Sequence, residues 1–460
     1  MAKPKQSPVN VPSLDILKQI KLHAAGLDIG AEEIYACVPV GANEPSVRVF
    51  PTFTVDLYAL ADWLATCQIE TVAMESTGVY WIPAYEILES RGFEVYLVNA
   101  RQLKHVPGRK TDILDCQWIQ QLHTYGLLHA SFRPPEEICA VRALARHRDN
   151  LIRYRSAHIQ HMQKALQLMN IKLTEVVSDI TGVTGLSIIR AIVAGERDPQ
   201  QLARFRQRGC AKSAAEIMKA LQGNYKQEHL FVLKQALAQY DFYLQQIQEC
   251  DAQMEAMYAA LPPSDPEDRG SPPPEPQRGK VRKNQAHFDL TASLYQVVGV
   301  DLTTIDGIDA LTAQAIITEI GTDVSAWPTV KHFSSWLGLA PHNDKSGGKV
   351  LRSRTKKTKN RANLALRLAA QSLSRSQSAV GAFYRRMKAK QGPGKATTAA
   401  AHKLACMVYY MLKNRTAYVD PGATYYDQHY RDRVIRNLKR RAAELGLELV
   451  PVPVQVPAVS

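Results

Sequence analysis

Four acidic residues in the first part of the chain have the types and positions needed to hold divalent cations. Asp28 and Glu75 each stand where a short apolar segment ends, and Asp112 and Asp115 are three residues apart, so that on a helix they share a face. Converged carboxylates need cations to neutralise them, and hard oxygen ligands prefer Mg²⁺ or Mn²⁺. Two such ions can activate the attacking oxygen and stabilise the leaving oxygen in phosphodiester chemistry. Singly, each acid could instead close a turn, end a strand or cap a helix.

The elements around these acids predict how they would be positioned. The apolar pattern predicts strands and helices in the order Ala24–Ile29, Ile34–Val40 and Val47–Phe53 (strands), Leu57–Thr66 (helix), Thr71–Glu75 (strand), Trp81–Ser90 (helix), Glu94–Val98 (strand) and Asp112–His123 (helix). This order is typical of a ribonuclease-H-like fold, a mixed α/β sheet with helices on its faces. The first and fourth strands are neighbours in that fold and a later helix lies across their ends, so we expect the four carboxylates to converge.

Basic residues precede the acidic helix. They are positioned to hold a phosphate backbone, or they form an ordinary solvated loop. These residues are Arg101, Lys104, His105, Arg109 and Lys110.

A second group of candidate residues surrounds Ser346, which stands in a glycine loop before a strongly basic segment. Between Lys345 and Arg367 the chain has nine cations and no acid, an arrangement that favours nucleic-acid contact. The Ser346 hydroxyl is then a candidate nucleophile, with cations to stabilise a phosphoryl transition state; the alternative is an ordinary loop serine. The candidate nucleic-acid contacts are Lys345, Lys349, Arg352, Arg354, Lys356, Lys357, Lys359 and Arg361.

Two further patterns concern the helical part of the chain. The segment Thr304–Asp309, with Gly307, resembles the turn of a helix-hairpin-helix that binds phosphate through backbone amides, or is a simple packing turn. A heptad seam with one polar position predicts a coiled coil, used either as a stalk for dimerisation or as half of an intramolecular hairpin. The seam comprises Leu230, Leu233, Leu237, Tyr240, Leu244, Ile247, Asp251, Met254 and Tyr258, and its candidate partner helix carries Val141, Leu144, Leu151 and Met162.

The whole chain of 460 residues is long enough for two or three domains. We predict an α/β domain followed by mostly helical structure, in the order 1–22 (disordered lead), 23–134 (α/β domain), 135–261 (helical, with a small insertion at 179–222), 262–290 (Pro-rich linker), 291–418 (mostly helical, basic domain) and 419–460 (basic tail).

Composition bounds the class of protein. With 57 Lys and Arg against 43 Asp and Glu, the chain carries a net charge of +14, which favours a polyanionic partner or, alternatively, serves solubility. The seven cysteines are scattered with no C-x-x-C pair, which argues against a zinc ribbon or a disulfide framework and favours a reducing cytoplasm. We expect no signal peptide and no transmembrane helix, and therefore no membrane partner.

Several stretches of the sequence resemble the Asp-Glu-Asp-Asp transposases of the insertion-sequence one-hundred-and-ten family, most closely its eleven-eleven subgroup. The similarity runs in order from about residue 24 to 415. The matching stretches are LDIG at 27–30, MESTGVYW at 74–81, VPGRKTDILDCQWIQQLHTYGLL at 106–128, DITGVTGLSIIRAIVAGERDP at 179–199, HLFVLKQAL at 229–237, LTTIDGIDALTAQAIITEIGTD at 302–323, HFSSWLGLAPHNDKSGGKVL at 332–351 and KATTAAAHKLACMVYYML at 395–412.

The resemblance implies a RuvC-like N-terminal domain, a coiled-coil middle and a C-terminal transposase domain. It implies that the four acids bind Mg²⁺, that Ser346 forms a covalent serine–DNA phosphate intermediate, and that strands are exchanged without target-site duplication. It also implies a structured non-coding bridge RNA that pairs with double-stranded donor and target DNA. Dimers would assemble into a tetramer, with the acidic site of one subunit facing the serine of another, in the bacterial cytoplasm at the nucleoid. One segment, Thr355–Asn363, departs from the serine–lysine–x–glycine–asparagine stretch of many relatives.

Three other functions remain as alternatives. A metal-dependent Holliday-junction resolvase would use the acids and not Ser346. A sugar kinase on the same core fold would need a second glycine-rich phosphate loop and an adenosine pocket, and neither is evident. A non-enzymatic DNA-binding protein would not require the acids to converge.

Overall fold

The structure of the chain is a computed structural model that describes residues 18–41, 45–76, 78–99, 103, 111–265, 267, 273–274 and 283–450. It divides into two compact units, Met1–Arg133 and Pro134–Ser460.

The first unit is a five-stranded mixed sheet with helices on both faces. Its strand order is β3-β2-β1-β4-β5, in which β1, β2 and β3 pair antiparallel and β1, β4 and β5 pair parallel. The elements are β1 (Ala24–Ile29), β2 (Glu33–Cys37), β3 (Val47–Pro51), α1 (Thr54–Thr66), β4 (Thr71–Glu75), α2 (Trp81–Ser90), β5 (Glu94–Val98) and α3 (Asp112–Thr124). The predicted mixed α/β sheet, with its first and fourth strands adjacent, is confirmed.

The predicted ends of three elements were wrong. β2 ends at Cys37 instead of Val40, β3 ends at Pro51 instead of Phe53, and α1 begins at Thr54 instead of Leu57. The apolar pattern of both strands continues past the ends of the ladder, in which β2 and β3 pair over Glu33–Cys37 and Val47–Pro51.

The two faces of this sheet bury different side chains. Leu27 and Met74 point into the core beneath α1 and α2, whereas Ala73 and Val98 pack beneath α3. Successive residues of a strand point to opposite faces, so Asp28, the neighbour of Leu27, belongs to the α3 side.

The first unit begins before the predicted start of the α/β domain at His23. The backbone amides of Ile20 and Lys21 both donate to the carbonyl oxygen of Thr124 at 2.9 Å. Lys21 Nζ also lies 3.0 Å from Glu94 Oε2. The last residues of the predicted disordered lead therefore pack on the sheet; residues 1–17 lie outside the described residues.

The second unit is built on two long antiparallel helices, α4 (Glu136–Leu168) and α9 (Gln227–Ala260). All of the predicted seam positions on α9 are buried except Leu244, which is half-buried. They pack against α4 of the same chain, so the hairpin alternative accounts for the burial of the seam. The predicted insertion at 179–222 contains three short helices, α6 (Val183–Ala194), α7 (Pro199–Ala203) and α8 (Ala214–Ala220). Together with α5 (Leu173–Val176), which precedes the insertion, they close one end of this hairpin.

The single polar position of the seam forms a buried ion pair. Asp251 and Arg148 are 0% and 2% exposed, and Arg148 Nε donates to Asp251 Oδ1 at 2.5 Å. Arg148 also donates to the carbonyl oxygen of Gln285 at 2.8 Å, and the Nδ1 of His287 lies 2.7 Å from Asp251 Oδ2. The pair thus attaches the segment that precedes the C-terminal helices to the hairpin.

The remaining elements confirm a mostly helical C-terminal region, with one β-hairpin that was not predicted. They are α10 (Leu290–Val298), α11 (Ala310–Ile320), α12 (Val330–Trp336), β6 (Pro341–Ser346), β7 (Lys349–Thr355), α13 (Arg361–Ser372), α14 (Ala379–Gln391), α15 (Pro393–Asn414) and α16 (Gly422–Glu444).

The predicted helix-hairpin-helix turn lies before α11. Asp309 caps α11 by accepting from Thr312 N at 2.9 Å. Gly307 has a φ of +91°, and a Cβ there would lie 2.7 Å from the carbonyl oxygen of Ala369 on α13. This close packing favours the interpretation of the turn as a packing unit.

The described residues also bear on membrane-spanning helices and on the state of the cysteines. Within them, no helix is both long and apolar enough to span a bilayer. All seven cysteines are free thiols.

We predict that Asp251→Ala lowers the free energy of unfolding by about 3–5 kcal/mol, because it leaves the Arg148 guanidinium buried without its counter-charge. Urea denaturation of the full chain measures the change. The control Asp241→Ala breaks an exposed pair with Arg190 and should cost less than about 1 kcal/mol. Equal losses of unfolding free energy in the two variants would contradict the assignment of Asp251 and Arg148 as a buried ion pair.

Candidate metal centre and serine hairpin

The close approach of α3 to β1 brings the predicted acids together. A Cβ on Gly26 of β1 would lie 2.2 Å from the backbone N of Gln120 and 2.5 Å from the carbonyl oxygen of Cys116, both on α3. Any larger residue at position 26 would push α3 away from the sheet. The glycine therefore lets the helix lie directly over the strand that ends in Asp28.

The first turn of α3 presents two of the acids. Thr111 caps the helix, and its Oγ1 accepts a hydrogen bond from Leu114 N at 3.3 Å. Asp112 and Asp115 follow it within the first turn. Free backbone N–H groups and the helix dipole favour carboxylates at this end. Their i, i+3 spacing places both on one side of the helix, as predicted.

Three of the four acids form one cluster. Asp28, Asp112 and Asp115 each contribute a carboxylate oxygen, and these oxygens lie within 4.8 Å of one another. Opposite ligands of an octahedral Mg²⁺ are separated by roughly 4.2 Å, twice the metal–oxygen distance. Hard oxygen donors at this spacing fit Mg²⁺ or Mn²⁺.

Glu75 stands beside this cluster and is not one of the three. Parallel pairing of Leu27 with Met74 places Glu75 next to Asp28 at the same edge of the sheet. Its charge is close enough to contribute to the raised pKa of Asp28. The structure thus brings Glu75 to the site, outside the group of acids whose oxygens lie within 4.8 Å of one another.

Electrostatics make the cluster unfavourable without a counter-charge. Burial, followed by the charges of Asp115, Asp112 and Glu75 in that order, raises the pKa of Asp28 to about 6. A bound cation stabilises the ionised form of a carboxyl group whose pKa is raised in this way.

Tyr35 is a neighbour of the acids that the sequence did not reveal. It pairs with Asp28 across β1 and β2. The side chains of such a pair point to the same face. Its phenol donates to Glu33 Oε2 at 3.2 Å, and that contact, followed by the charges of Glu33, Asp112 and Asp28, raises the pKa of Tyr35. The predicted strands Ala24–Ile29 and Ile34–Val40 are separated only by residues 30–33, and antiparallel pairing across that short connection was the signal that could have identified it.

Ser346 is the last residue of β6, at the tip of an exposed hairpin in the second unit. Gly347 and Gly348 connect β6 to β7 with φ values of +54° and +76°. Positive φ at both positions defines a type I′ turn, which glycine adopts without strain. Every residue of β6 is exposed, so the hydroxyl is accessible as predicted, on a strand end instead of a loop.

A β-bulge sets which side chains share the face of Ser346. After the pairs nearest the turn the register shifts, so that Leu351 has no partner in the ladder. Without the shift, Arg352 would oppose Asn343 and point to the other face. The pairs are Ser346 with Lys349, Lys345 with Val350, Asp344 with Arg352, Asn343 with Ser353, His342 with Arg354 and Pro341 with Thr355.

This register sorts the predicted cations. Paired residues point to one face and successive residues alternate, so Lys349, Arg352 and Arg354 share the face of Ser346. Lys345 lies on the opposite face.

The remaining predicted cations fall into three groups. Lys356, Lys357 and Lys359 are exposed between β7 and α13. Arg361 is half-buried and donates to Asp149 Oδ2 on α4 at 3.1 Å, so it already has an acidic partner. The third group lies outside the described residues and comprises Arg101, Lys104, His105, Arg109 and Lys110.

Comparisons with known families identify the class of protein. Residues 25–171 match the DEDD transposase family of IS110, and residues 301–385 match the IS116/IS110/IS902 transposase family. Together the two matches span about half of the chain, and a search of curated proteins found no match. The protein is thus a transposase, an enzyme that cleaves and rejoins DNA. More narrowly, the chain belongs to the IS110 family of transposases.

We predict that Asp28→Asn stabilises the metal-free protein at neutral pH by about 1–2 kcal/mol, a value reduced for solvent screening of a half-buried group. The folded pKa of Asp28, about 6, exceeds the unfolded value of about 4. The wild type therefore loses stability as pH rises through this window, and the variant does not.

The same variant should lose the rise in melting temperature that Mg²⁺ gives the wild type above pH 6, because a ligand that binds only the folded state stabilises it. Thermal unfolding with and without Mg²⁺ measures both effects. Glu70→Gln, an exposed carboxylate of the same unit, is the control and should keep the Mg²⁺ response. Retention of that response by Asp28→Asn would exclude a metal role for Asp28.

Proposed function

We propose that this transposase exchanges DNA strands with a Mg²⁺-dependent acidic site and Ser346 as the nucleophile. The convergence of Asp28, Asp112 and Asp115 is the observation that carries the proposal. These acids and Glu75 occur in the order Asp-Glu-Asp-Asp within the region that matches the DEDD family. Ser346 lies within the second matched region.

The acids would hold the cation and orient the phosphate. Asp28, Asp112 and Asp115 would coordinate Mg²⁺, or Mn²⁺, and Glu75 would reach it directly or through a water. The bound ion would neutralise the charge that develops on the phosphoryl oxygens. The dipole at the first turn of α3 also favours the anionic environment of the site.

Ser346 would attack the scissile phosphorus. Its Oγ forms a bond to phosphorus and loses its proton, and the bond from phosphorus to the leaving strand's oxygen breaks, so that oxygen takes up a proton. A phosphodiester is exchanged for a phosphodiester, and no external energy source is needed to rejoin the strand. Lys349, Arg352 and Arg354 on the same face would stabilise the transition-state charge.

Several finer assignments follow from the resemblance of the sequence. We propose that the first unit is ribonuclease-H-like (RuvC-like), which its β3-β2-β1-β4-β5 strand order supports. We also propose that the predicted domain division holds, except that the end of the lead packs on the first unit. We further propose membership of the eleven-eleven subgroup, a bridge RNA that selects donor and target DNA, and a homo-tetramer built from dimers. The predicted exposed contacts Lys356, Lys357 and Lys359 would bind the phosphate backbone.

Ser346→Ala should abolish the covalent protein–DNA adduct while DNA binding persists, because it removes only the attacking oxygen. Denaturing electrophoresis of reactions with labelled donor DNA detects the adduct. Ser353→Ala, on the opposite face of the same hairpin, is the control and should form the adduct as wild type does. Continued DNA cleavage by Ser346→Ala would instead support a metal-dependent resolvase or nuclease.

The hairpin register predicts different effects for two equal charge losses. Arg352→Ala should slow adduct formation at saturating DNA by about tenfold or more, as expected for loss of a charge-assisted hydrogen bond. Lys345→Ala, on the opposite face, should slow it by less than about threefold.

Exchange of the residues at positions 352 and 353 (Arg352→Ser with Ser353→Arg) keeps composition and net charge but moves the cation to the other face. It should reproduce the defect of Arg352→Ala. Single-turnover adduct formation measures all three variants, and equal rates for Arg352→Ala and Lys345→Ala would refute the assignment of faces.

A further inference from the structure

The last helix of the described chain, α16, differs from the other long helices because it buries no residue. Its first half contacts α14 and the segment just before it. The Ala423 N donates to the carbonyl oxygen of Gln377 at 2.9 Å, the Tyr426 and Phe383 rings lie 6.1 Å apart, and Arg386 stacks 3.0 Å from the Tyr430 ring centroid.

The second half of α16 extends away from these contacts. From residue 435 to 444 every side chain except Ala442 is exposed. Packing of a buried face normally stabilises a helix, and a short helix without it is marginal in water. This half of the helix has no such face among the described residues.

The exposed half is strongly basic. Four cations lie within six residues: Arg436, Lys439, Arg440 and Arg441. Among the described residues the ion pair found for this group is Arg440 with Glu444, at 3.8 Å within the helix itself. Burial lowers the pKa of Lys403 on α15, and the charge of Arg433 on α16 also lowers it.

Helical spacing separates charged from apolar residues. Arg433, Arg436 and Arg440 follow an i, i+3, i+7 pattern on one side, and Ile435 and Leu438 lie on the other. Lys439 and Arg441 lie between the two sides. A second copy of α16 would bring further cations to the same place, which is unfavourable. A polyanion removes the repulsion, and the substrate of a transposase is one.

We propose that the exposed half of α16 binds the phosphodiester backbone of nucleic acid, as a binding arm separate from the serine hairpin. The contact is with phosphates and selects no sequence. It does not depend on Ser346 or on the acidic cluster, so it stands or falls independently of the proposed chemistry.

The test is the salt dependence of binding by full-length protein. The variant changes Arg436, Lys439, Arg440 and Arg441 to Gln. Each lost phosphate contact makes the negative slope of log K against log salt shallower by about 0.9 on duplex DNA. The steepness of the slope should therefore decrease by about 3 to 4, and the affinity should decrease by about tenfold or more. Its melting temperature should stay unchanged, because these side chains are exposed.

A matched control removes the same charge elsewhere in the second unit. It changes four exposed cations near and on α8 and α9 to Gln, namely Arg208, Lys219, Lys226 and Lys234. We expect its slope to change by less than about one. Equal losses in both variants would reduce the effect to net charge and overturn the proposal.

The probes identify the source of the phosphates. Binding is measured to a random-sequence DNA duplex, to an RNA hairpin and to phosphatidylserine vesicles. A loss on the duplex assigns the arm to DNA, and a loss confined to the RNA hairpin assigns it to RNA; both support the proposal. A loss confined to vesicles would show an amphipathic membrane helix and overturn it.

Discussion

The acidic site depends on the absence of a side chain at Gly26. Because a Cβ at that position would lie within 2.5 Å of α3 backbone atoms, only glycine lets α3 lie directly on β1. The helix then carries Asp112 and Asp115 to the edge where β1 ends at Asp28. Burial of Asp28, followed by the charges of the neighbouring acids, raises its pKa, so the ionised cluster is electrostatically unfavourable. Apolar packing of the sheet against its helices must therefore hold the acids in place, since their own charges would separate them.

Charged residues inside the fold and charged residues of the serine hairpin differ in how far they are matched by residues of opposite charge. Inside the second unit, Arg148 is matched by Asp251, which also accepts from His287. Such a pair satisfies its groups because an unpaired buried charge would be costly. The serine hairpin, by contrast, carries four exposed cations and one acid, Asp344. Exposure makes this arrangement tolerable in water, and a phosphate backbone makes it favourable.

The sequence predicted the parts of the site that local patterns encode. The spacing of Asp112 and Asp115 and the order of strands were sufficient to predict convergence with Asp28. Tertiary information was needed for the rest. A heptad seam looks the same whether its partner is α4 or another chain, and Arg361 finds Asp149 more than two hundred residues away. The Gly347-Gly348 pair could have predicted the hairpin, since two-residue glycine turns join antiparallel strands. The bulge at Leu351 could not be predicted, because polar residues on both faces leave the register unspecified.

The two candidate centres therefore differ in how firmly they are held. The acids project from a packed sheet and from a helix that contacts it closely, so their positions are fixed before any substrate binds. Ser346 stands on a two-stranded hairpin with no buried side chain from Pro341 to Arg354, and an isolated hairpin of this kind is only marginally stable. Repulsion among its cations weakens it further when no anion is present. A phosphate backbone that neutralises Lys349, Arg352 and Arg354 removes this repulsion and leaves the turn and the bulge to fix the direction of the serine. Substrate binding would thus order Ser346, and the hydroxyl of this proposed nucleophile would be correctly aligned chiefly when DNA is there to receive it.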